Sequence, residues 1–300
     1  MHSDLVEIGW TEDHWNRLYS AITEEAQKAR VGAQVLNVVG PLDPTIVAVP
    51  SYALAATPNN PPQVPVWATQ RLTVNSAPDL YLTKIAVNVY LHSREAADPD
   101  LNGALTMFRR AANYIARIDD ALIFNGRPGP GAPPPFGVGG IPPVYNVTGD
   151  GAVDGLLMYA NPGARSFFRV ATAVGATLGD QVITSIIASI NALDGAGQLG
   201  PFACVLSPDL FQAICTPNAN LVLPRDRILP FLEGPLLRCS AIQNQYGVVV
   251  ALSANPVELV VARDISLKFL QTTEQSRLAF QVSERVALRV KESAAISILN

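Results

Sequence analysis

This sequence of 300 residues contains few charged residues and few of the side chains and motifs on which enzymes depend. Only 15% of its residues are Asp, Glu, Lys or Arg, whereas 49% are hydrophobic, and the mean hydropathy is +0.22. Such a chain is too apolar to remain disordered. Either it encloses a large core for its length, or it buries apolar surface between subunits.

Long apolar runs are also missing. No run approaches the roughly 20 residues that a helix needs to cross a bilayer, so we expect no membrane association. The chain begins MHSDLVEIGW, with an acidic residue at position 4 and no basic segment before an apolar stretch, which predicts no secretory signal and a cytoplasmic location. The net charge is −4 and no basic block is present, which argues against nucleic-acid binding.

Residues that could hold a metal or act as nucleophiles are few. Three cysteines stand at irregular spacing, Cys204, Cys215 and Cys239, which argues against a disulfide framework and favours reduced thiols. Three histidines are far apart in the chain, His2, His14 and His92. No HExxH, GxSxG or GxxxxGK[ST] motif occurs. We therefore expect no catalytic residue, no metal and no cofactor.

Two features leave an enzyme or binding domain open as an alternative. Asp119 and Asp120 are adjacent on a predicted helix, where neighbouring side chains point about 100° apart and cannot form an acid–base pair on one face. We interpret them as solvated or ion-paired carboxylates. The Pro- and Gly-rich loop 127–163 could be an active-site loop, but Arg127, Asp150 and Asp154 are few polar groups for one.

Apolar residues at three- and four-residue steps predict helices at 11–31, 98–125 and 180–193, with a short helix at 208–214. Thr11 and Asp98 are the expected N-caps, and Gly32 is the expected stop of the first helix. Residues 51–68 are too rich in proline for a helix or a central strand.

Period-two alternation and short apolar runs predict the strands, at 35–39, 70–76, 80–91, 202–206, 236–239, 247–252, 258–262, 267–269, 277–284 and 287–291. Residues 216–224 form a predicted loop. The order is that of an α+β protein, with helices early and an antiparallel sheet late.

Several segments, in order, resemble the shell proteins of encapsulins of the family 1, linocin-like type, which are relatives of tailed-phage capsid proteins. Residues 223–270, beginning LPRDRILPFLEG, are similar to the family's pore loop, short helix and following strands. RIDDALIFNG at 117–126 is similar to the end of its spine helix. EDHW, EEA and VGAQVLNVVGPL near the start are similar to its N-terminal helix and the strand beyond it, and LGPFACVLSPDLF is similar to a later strand and helix.

The resemblance implies the Hong Kong 97 phage capsid fold and a division of the chain. Its parts would be an N-terminal helix arm (1–36), a peripheral domain with the spine helix (37–50, 83–125 and 248–300), an extended E-loop (51–82), a Pro- and Gly-rich insertion (126–165) and an axial domain (166–247). The function implied is a non-enzymatic shell subunit that self-assembles into an icosahedral nanocompartment and encloses a cargo enzyme. A phage or prophage major capsid protein is the alternative on the same fold.

The resemblance also implies two sites. A groove on the inner wall would hold the C-terminal targeting tail of a cargo such as a peroxidase or a ferritin-like protein, with matching positions at Val31, Ala33, Leu36, Asn37, Val261 and Ile265. The five-fold pore loop would comprise Pro217, Asn218, Ala219, Asn220 and Leu221. Ala33 and Asn37 replace the family's usual Arg and Asp, which suggests a less polar groove. Residues 127–153 have the character of an insertion.

Overall fold

The computed structural model describes residues 9–56, 72–129, 139–159, 167–168, 177–218, 221–273 and 277–300. Seven helices lie within these ranges: α1 (Glu12–Ala29), α2 (Gly32–Val35), α3 (Ser93–Ala96), α4 (Asn102–Asn125), α5 (Leu178–Gly195), α6 (Pro208–Ile214) and α7 (Pro224–Leu232). The three long predicted helices and the short one at 208–214 are thereby confirmed, with shifted ends.

The end of α1 differs from the prediction. Thr11 caps its start as expected, by accepting a hydrogen bond from the backbone N–H of His14. The helix ends at Ala29, however, and Gly32 begins the separate short helix α2. The side chain of Asp120 binds the backbone N–H groups that precede and begin α2, so a long-range contact sets this boundary.

The start of α4 was also predicted too early. Asp98 accepts hydrogen bonds from the backbone N–H groups of Asp100 and of Asn102, the first residue of α4, although it lies three residues before the N-cap position. The helical hydrogen bonds begin after Leu101, whose φ of 53° places it in the left-handed region. The predicted end at Asn125 is confirmed, with Gly126 at a φ of 72°.

Twelve strands are described: β1 (Asn37–Val39), β2 (Ala48–Ala56), β3 (Leu72–Tyr81), β4 (Thr83–His92), β5 (Tyr145–Thr148), β6 (Phe167–Phe168), β7 (Phe202–Leu206), β8 (Glu233–Arg238), β9 (Gly247–Ala251), β10 (Val257–Thr272), β11 (Arg277–Val290) and β12 (Ile296–Leu299). They form two five-stranded sheets and the two-stranded antiparallel pair β2–β3. The first residues of the predicted Pro-rich excursion, 51–56, belong to β2, and residues 57–71 lie outside the described chain.

The first sheet has the strand order β1-β10-β11-β4-β5. Strand β1 pairs parallel to β10, and the other pairs are antiparallel. The separate strands predicted at 258–262 and 267–269 are one long strand, β10, whose register shifts near Arg263 and Phe269 hide its continuity in the sequence pattern. The two strands predicted at 277–284 and 287–291 are likewise one continuous strand, β11. Strand β5 lies inside the predicted loop 127–163.

The second sheet has the order β6-β12-β9-β7-β8 and mixes parallel with antiparallel pairs, so the expectation of an antiparallel late sheet was too simple. The final strand β12 was not predicted. Residues 248–300 contribute to both sheets, since β10 and β11 belong to the first sheet while β9 and β12 belong to the second.

Helices α1 and α4 cover one face of the first sheet. An aromatic cluster fixes their contact: Phe280 of β11 stacks on Trp10 with ring centroids 5.2 Å apart and meets Phe108 of α4 edge-on at 5.3 Å. Helices α5, α6 and α7 pack around the second sheet and form a separate apolar cluster. Helix α1 contacts both α4 and β10, and α2 also contacts α4, so these four elements meet in one region.

Candidate functional site

The predicted groove lies where α1 ends and the chain passes through α2 into β1. Val31 and Ala33 pack against the main core and remain half-buried. Leu36, Val261 and Ile265 are buried members of that core, at 5%, 5% and 8% exposure. All five residues therefore belong to the main apolar core or pack against it.

Strand β1 forms the outer boundary of this region. Asn37 is exposed and pairs in register with Glu258 of β10. Val38 beside it is 44% exposed. Among the residues described, β1 is the edge strand of its sheet and pairs with β10 alone. Of the predicted groove residues, Val31, Ala33 and Asn37 keep accessible surface, whereas Leu36, Val261 and Ile265 are buried.

A carboxylate on the spine helix holds α2 in place. Oδ1 of Asp120 accepts hydrogen bonds from the backbone N–H groups of Val31 at 2.9 Å and Gly32 at 2.8 Å. Asp120 is only 3% exposed. The two N–H groups have no intrahelical partner of their own, so the Asp120 oxygen satisfies them. Asp120 thereby fixes one wall of the predicted groove to α4.

An ionic cluster lies beside this contact and links three elements. The guanidinium of Arg30, just beyond α1, lies 2.5 Å from Oε2 of Glu284 on β11 and 3.8 Å from Oδ2 of Asp119 on α4. It also approaches Oδ1 of Asp264 on β10 at 3.4 Å. Asp119 and Glu284 have no exposed side-chain surface, whereas Asp264 is 53% exposed. One cation thus faces three carboxylates, two of them fully buried.

The excess of buried carboxylates perturbs their titration. Burial raises the pKa of Asp119 to about 6, although Arg30 opposes the shift. Burial raises the pKa of Asp120 to about 8 against the backbone N–H donors that favour its ionised form. Burial likewise raises the pKa of Glu284. Burial lowers the pKa of Arg30, but the surrounding carboxylates raise it by more, so the guanidinium stays charged. The cluster therefore holds protons near neutral pH.

Sequence reasoning missed this cluster. It left open whether Asp119 and Asp120 are solvated or ion-paired: neither is solvated, and Asp119 approaches Arg30. Their divergent directions were predicted correctly, since Asp119 faces the guanidinium while Asp120 faces α2. One signal was available, because the apolar residues near the end of α4 surround the helix and leave no polar face for two charges.

The predicted pore loop connects α6 to α7. Of its five residues, Ala219 and Asn220 lie outside the described chain. The N–H of Asn218 donates to the carbonyl of Val222, and its Oδ1 accepts from the N–H of that residue, which closes a tight turn. Pro217 precedes this turn. Leu221 is 85% exposed, so the turn presents an apolar side chain to its surroundings.

The other candidate chemistry has structural explanations. Arg127 is completely buried, and its Nη2 donates to the carbonyls of Gly149 and Gly151 at 3.1 Å each, while Asp150 and Asp154 are exposed.

The three cysteines are free thiols, and burial raises the pKa of Cys239 to about 12. Within the described residues no group of His, Cys, Asp or Glu is arranged to hold a metal ion. No helix in those ranges is long and apolar enough to cross a membrane.

Comparison with known proteins agrees with this architecture. The model of the Linocin_M18 family, described as "Encapsulating protein for peroxidase", matches residues 7–133 and 154–287. The match omits residues 134–153, which fall within the predicted insertion and include β5. The type 1 encapsulin shell protein EncA of Myxococcus xanthus is 24% identical over 297 residues, covering 96% of this chain and 92% of that protein.

Solved structures share the fold. A virus-like particle protein from Pyrococcus furiosus superposes with a TM-score of 0.61 at 16% identity, covering 97% of this chain and 100% of that one. The capsid protein of the myovirus XM1 gives a TM-score of 0.56 at 13% identity, with 88% of each chain covered.

These likenesses define the class: the chain has the Hong Kong 97 type of capsid fold and is a shell protein. Within that class, the family match identifies the chain as a member of the encapsulin shell family. Its likeness to the phage capsid is one of fold alone.

Proposed function

We propose that the shell built from this chain encloses a cargo protein whose C-terminal tail binds in the groove formed by Val31, Ala33, Leu36, Asn37, Val261 and Ile265. The cargo class is a peroxidase or a ferritin-like protein. The shell is closed and icosahedral, acts in the cytoplasm, and has no catalytic role of its own.

The observation that carries this proposal is the geometry beside β1. Val31 and Ala33 are half-buried against the main core, and Leu36, Val261 and Ile265 are buried within it, which supports an apolar binding surface beside β1. An extended peptide can place alternate apolar side chains against such a surface while its backbone runs along the sheet edge. The family is described as encapsulating a peroxidase, which supports the cargo class.

The pore loop is part of the same proposal. Pro217, Asn218, Ala219, Asn220 and Leu221 surround the five-fold opening, and small molecules reach the cargo through it. Exposed Leu221 at the turn makes that opening apolar. Replacement of Leu221 with Asp is expected to change the rate at which a charged substrate reaches an enclosed peroxidase, while leaving particle size unchanged.

The groove is tested by co-expression with a fluorescent protein that carries the C-terminal tail of a peroxidase enclosed by a shell of this family. Wild-type shells are expected to retain fluorescence after purification by size. Ala33→Arg places a long cation on the half-buried wall and is expected to abolish retention while particles still form. Unchanged loading of the Ala33→Arg shell would overturn the assignment of the groove.

A matched control separates loss of binding from general damage. Ala196 is exposed just beyond the end of α5, far from β1 in the fold. Ala196→Arg makes the same chemical change and is expected to leave loading at the wild-type level. A fluorescent protein without the tail is expected to be excluded from all shells, and its retention would contradict recognition of the tail.

A further inference from the structure

The outer face of the first sheet carries four cations, Lys84 of β4, Arg285 of β11, and Arg263 and Lys268 of β10, which we call the basic patch. Lys84 is directly opposite Arg285, and Arg285 is directly opposite Arg263, so three like charges form one row across neighbouring strands. Like charges at directly opposed positions destabilise a sheet. This arrangement is therefore a cost to the folded subunit.

The patch lies on the face away from α1 and α4. Alternate residues of β4 such as Ile85 and Val87 are buried in the core beneath those helices, which places Lys84 on the opposite side. The next positions along this face are small or uncharged: Ala86 pairs with Ser283, and Asn88 with Gln281. The cations therefore stand above a shallow surface without bulky apolar residues between them.

The charges of the patch are not neutralised within the described part of the subunit. None of its four cations forms an ion pair there. Arg285 donates to the backbone carbonyls of Pro44 and Ile46, and Lys84 donates to Oε1 of Gln281 at 2.9 Å. Burial lowers the pKa of Lys84, and repulsion from Arg285, Arg263 and Lys268 lowers it further.

Cations elsewhere on the same sheet behave differently. Nη2 of Arg289 lies 2.6 Å from Oε2 of Glu258, and Nζ of Lys291 lies 2.9 Å from Oε1 of the same carboxylate. The sheet thus pairs its cations where a carboxylate is present on the strand beside them. At the patch no such carboxylate is supplied by the described residues of the subunit.

We propose that the basic patch binds carboxylates of a second copy of this chain when the shell assembles. The chain belongs to a shell family, so its copies pack against one another. It carries 25 acidic and 21 basic residues, and exposed carboxylates such as Asp150, Asp154 and Asp194 have no ion pair within the described part of the subunit. The occupant with complementary charge is therefore a neighbouring subunit. This inference concerns assembly and is independent of cargo binding.

The test is the concentration dependence of assembly for purified protein, measured by mass photometry after dilution. Arg263→Gln/Lys268→Gln is expected to raise the subunit concentration at half-assembly about tenfold, and Arg263→Glu/Lys268→Glu about a hundredfold. Arg263→Lys/Lys268→Arg keeps both charges and is expected to assemble like the wild type. Assembly of the Glu variant at the wild-type concentration would overturn the proposal.

Three further controls test for misfolding and for general effects of charge. Far-ultraviolet circular dichroism of the Gln variant is expected to match the wild type, because removal of like charges relieves repulsion. Raising NaCl from about 0.05 to about 0.5 M is expected to weaken assembly of the wild type more than that of the Gln variant. Arg94→Glu reverses an exposed cation outside the patch and is expected to assemble normally; an equal defect there, or equal salt dependence of both proteins, would contradict the proposal.

Discussion

The carboxylate of Asp120 accepts a hydrogen bond from the backbone N–H of Gly32 at 2.8 Å, and this contact joins the spine helix to the N-terminal arm. A Cβ added at Gly32 would lie 2.5 Å from Cδ1 of Ile123, so the end of that side chain would have to move to admit a substitution. The position of α2, and with it the wall of the proposed groove, depends on this pair.

Removing the Asp120 side chain is expected to destabilise the arm. Asp120→Ala leaves the N–H groups of Val31 and Gly32 unsatisfied in a buried site, at a cost of about 1–3 kcal/mol. Asp120→Asn keeps one acceptor oxygen and is expected to lose less. The urea midpoint and loading of the tail-bearing fluorescent protein measure stability and groove integrity separately. An Ala variant with wild-type stability and loading would show that the pair has no structural role.

Loss of the cation from the ionic cluster is expected to be more damaging. Arg30→Met leaves Asp119 and Glu284 buried without their counter-ion, which costs about 3–5 kcal/mol when both carboxylates stay ionised. The double variant Arg30→Met/Glu284→Gln removes one of the stranded charges and is expected to recover part of that loss. Urea unfolding of both variants at one pH provides the comparison, and equal stability of the two would argue against coupling.

The cluster also predicts a pH dependence. Burial raises the pKa of Asp119 to about 6 and that of Asp120 to about 8, so the folded chain keeps protons that the unfolded chain releases. Stability is therefore expected to fall as pH rises from about 5 to about 8, by up to about 1.4 kcal/mol per pH unit for each titrating group. Asp120→Asn cannot titrate and is expected to show a shallower slope in urea unfolding between these pH values. An unchanged slope would remove Asp120 as its source.

Arg127 is predicted to anchor the inserted segment. Its Nη2 binds the carbonyls of Gly149 and Gly151, and its backbone pairs with Val153. Arg127→Met is expected to speed cleavage within residues 128–152 by a broad protease severalfold while the sheet cores stay resistant. Arg94→Met is the control, since Arg94 is exposed and lies on α3, which contacts α4, β4 and β11. Equal cleavage of the wild type and Arg127→Met would contradict the anchoring role.

Local patterns predicted much of the fold. The apolar stripes of α1, α4 and α5 and the run Phe202–Leu206 identified their elements, because those segments bury one face or lie wholly in the core. Strand β10 was divided in the prediction because its register shifts interrupt the alternation near Arg263. Strand β12 was missed because Ser297 interrupts its apolar run and all four residues are buried, so the segment shows neither a continuous apolar run nor an exposed polar face.

The groove positions came from resemblance to a family, and the ionic cluster beneath them was not foreseen. Arg30, Asp119, Asp264 and Glu284 are separated in sequence by up to 254 residues, and only the tertiary packing of three elements brings them together. Asp120 was interpreted as solvated or ion-paired, because its actual partners are backbone N–H groups, which leave no trace in residue identity.

Assembly is the central claim, and the particle size of the purified chain tests it most directly. Size-exclusion chromatography followed by negative-stain imaging is expected to show closed, uniform particles that contain many copies of the 32.0 kDa subunit. The number of copies follows from the particle mass. A protein that remains a monomer or a dimer at all concentrations, with no closed particles in the images, would contradict the account.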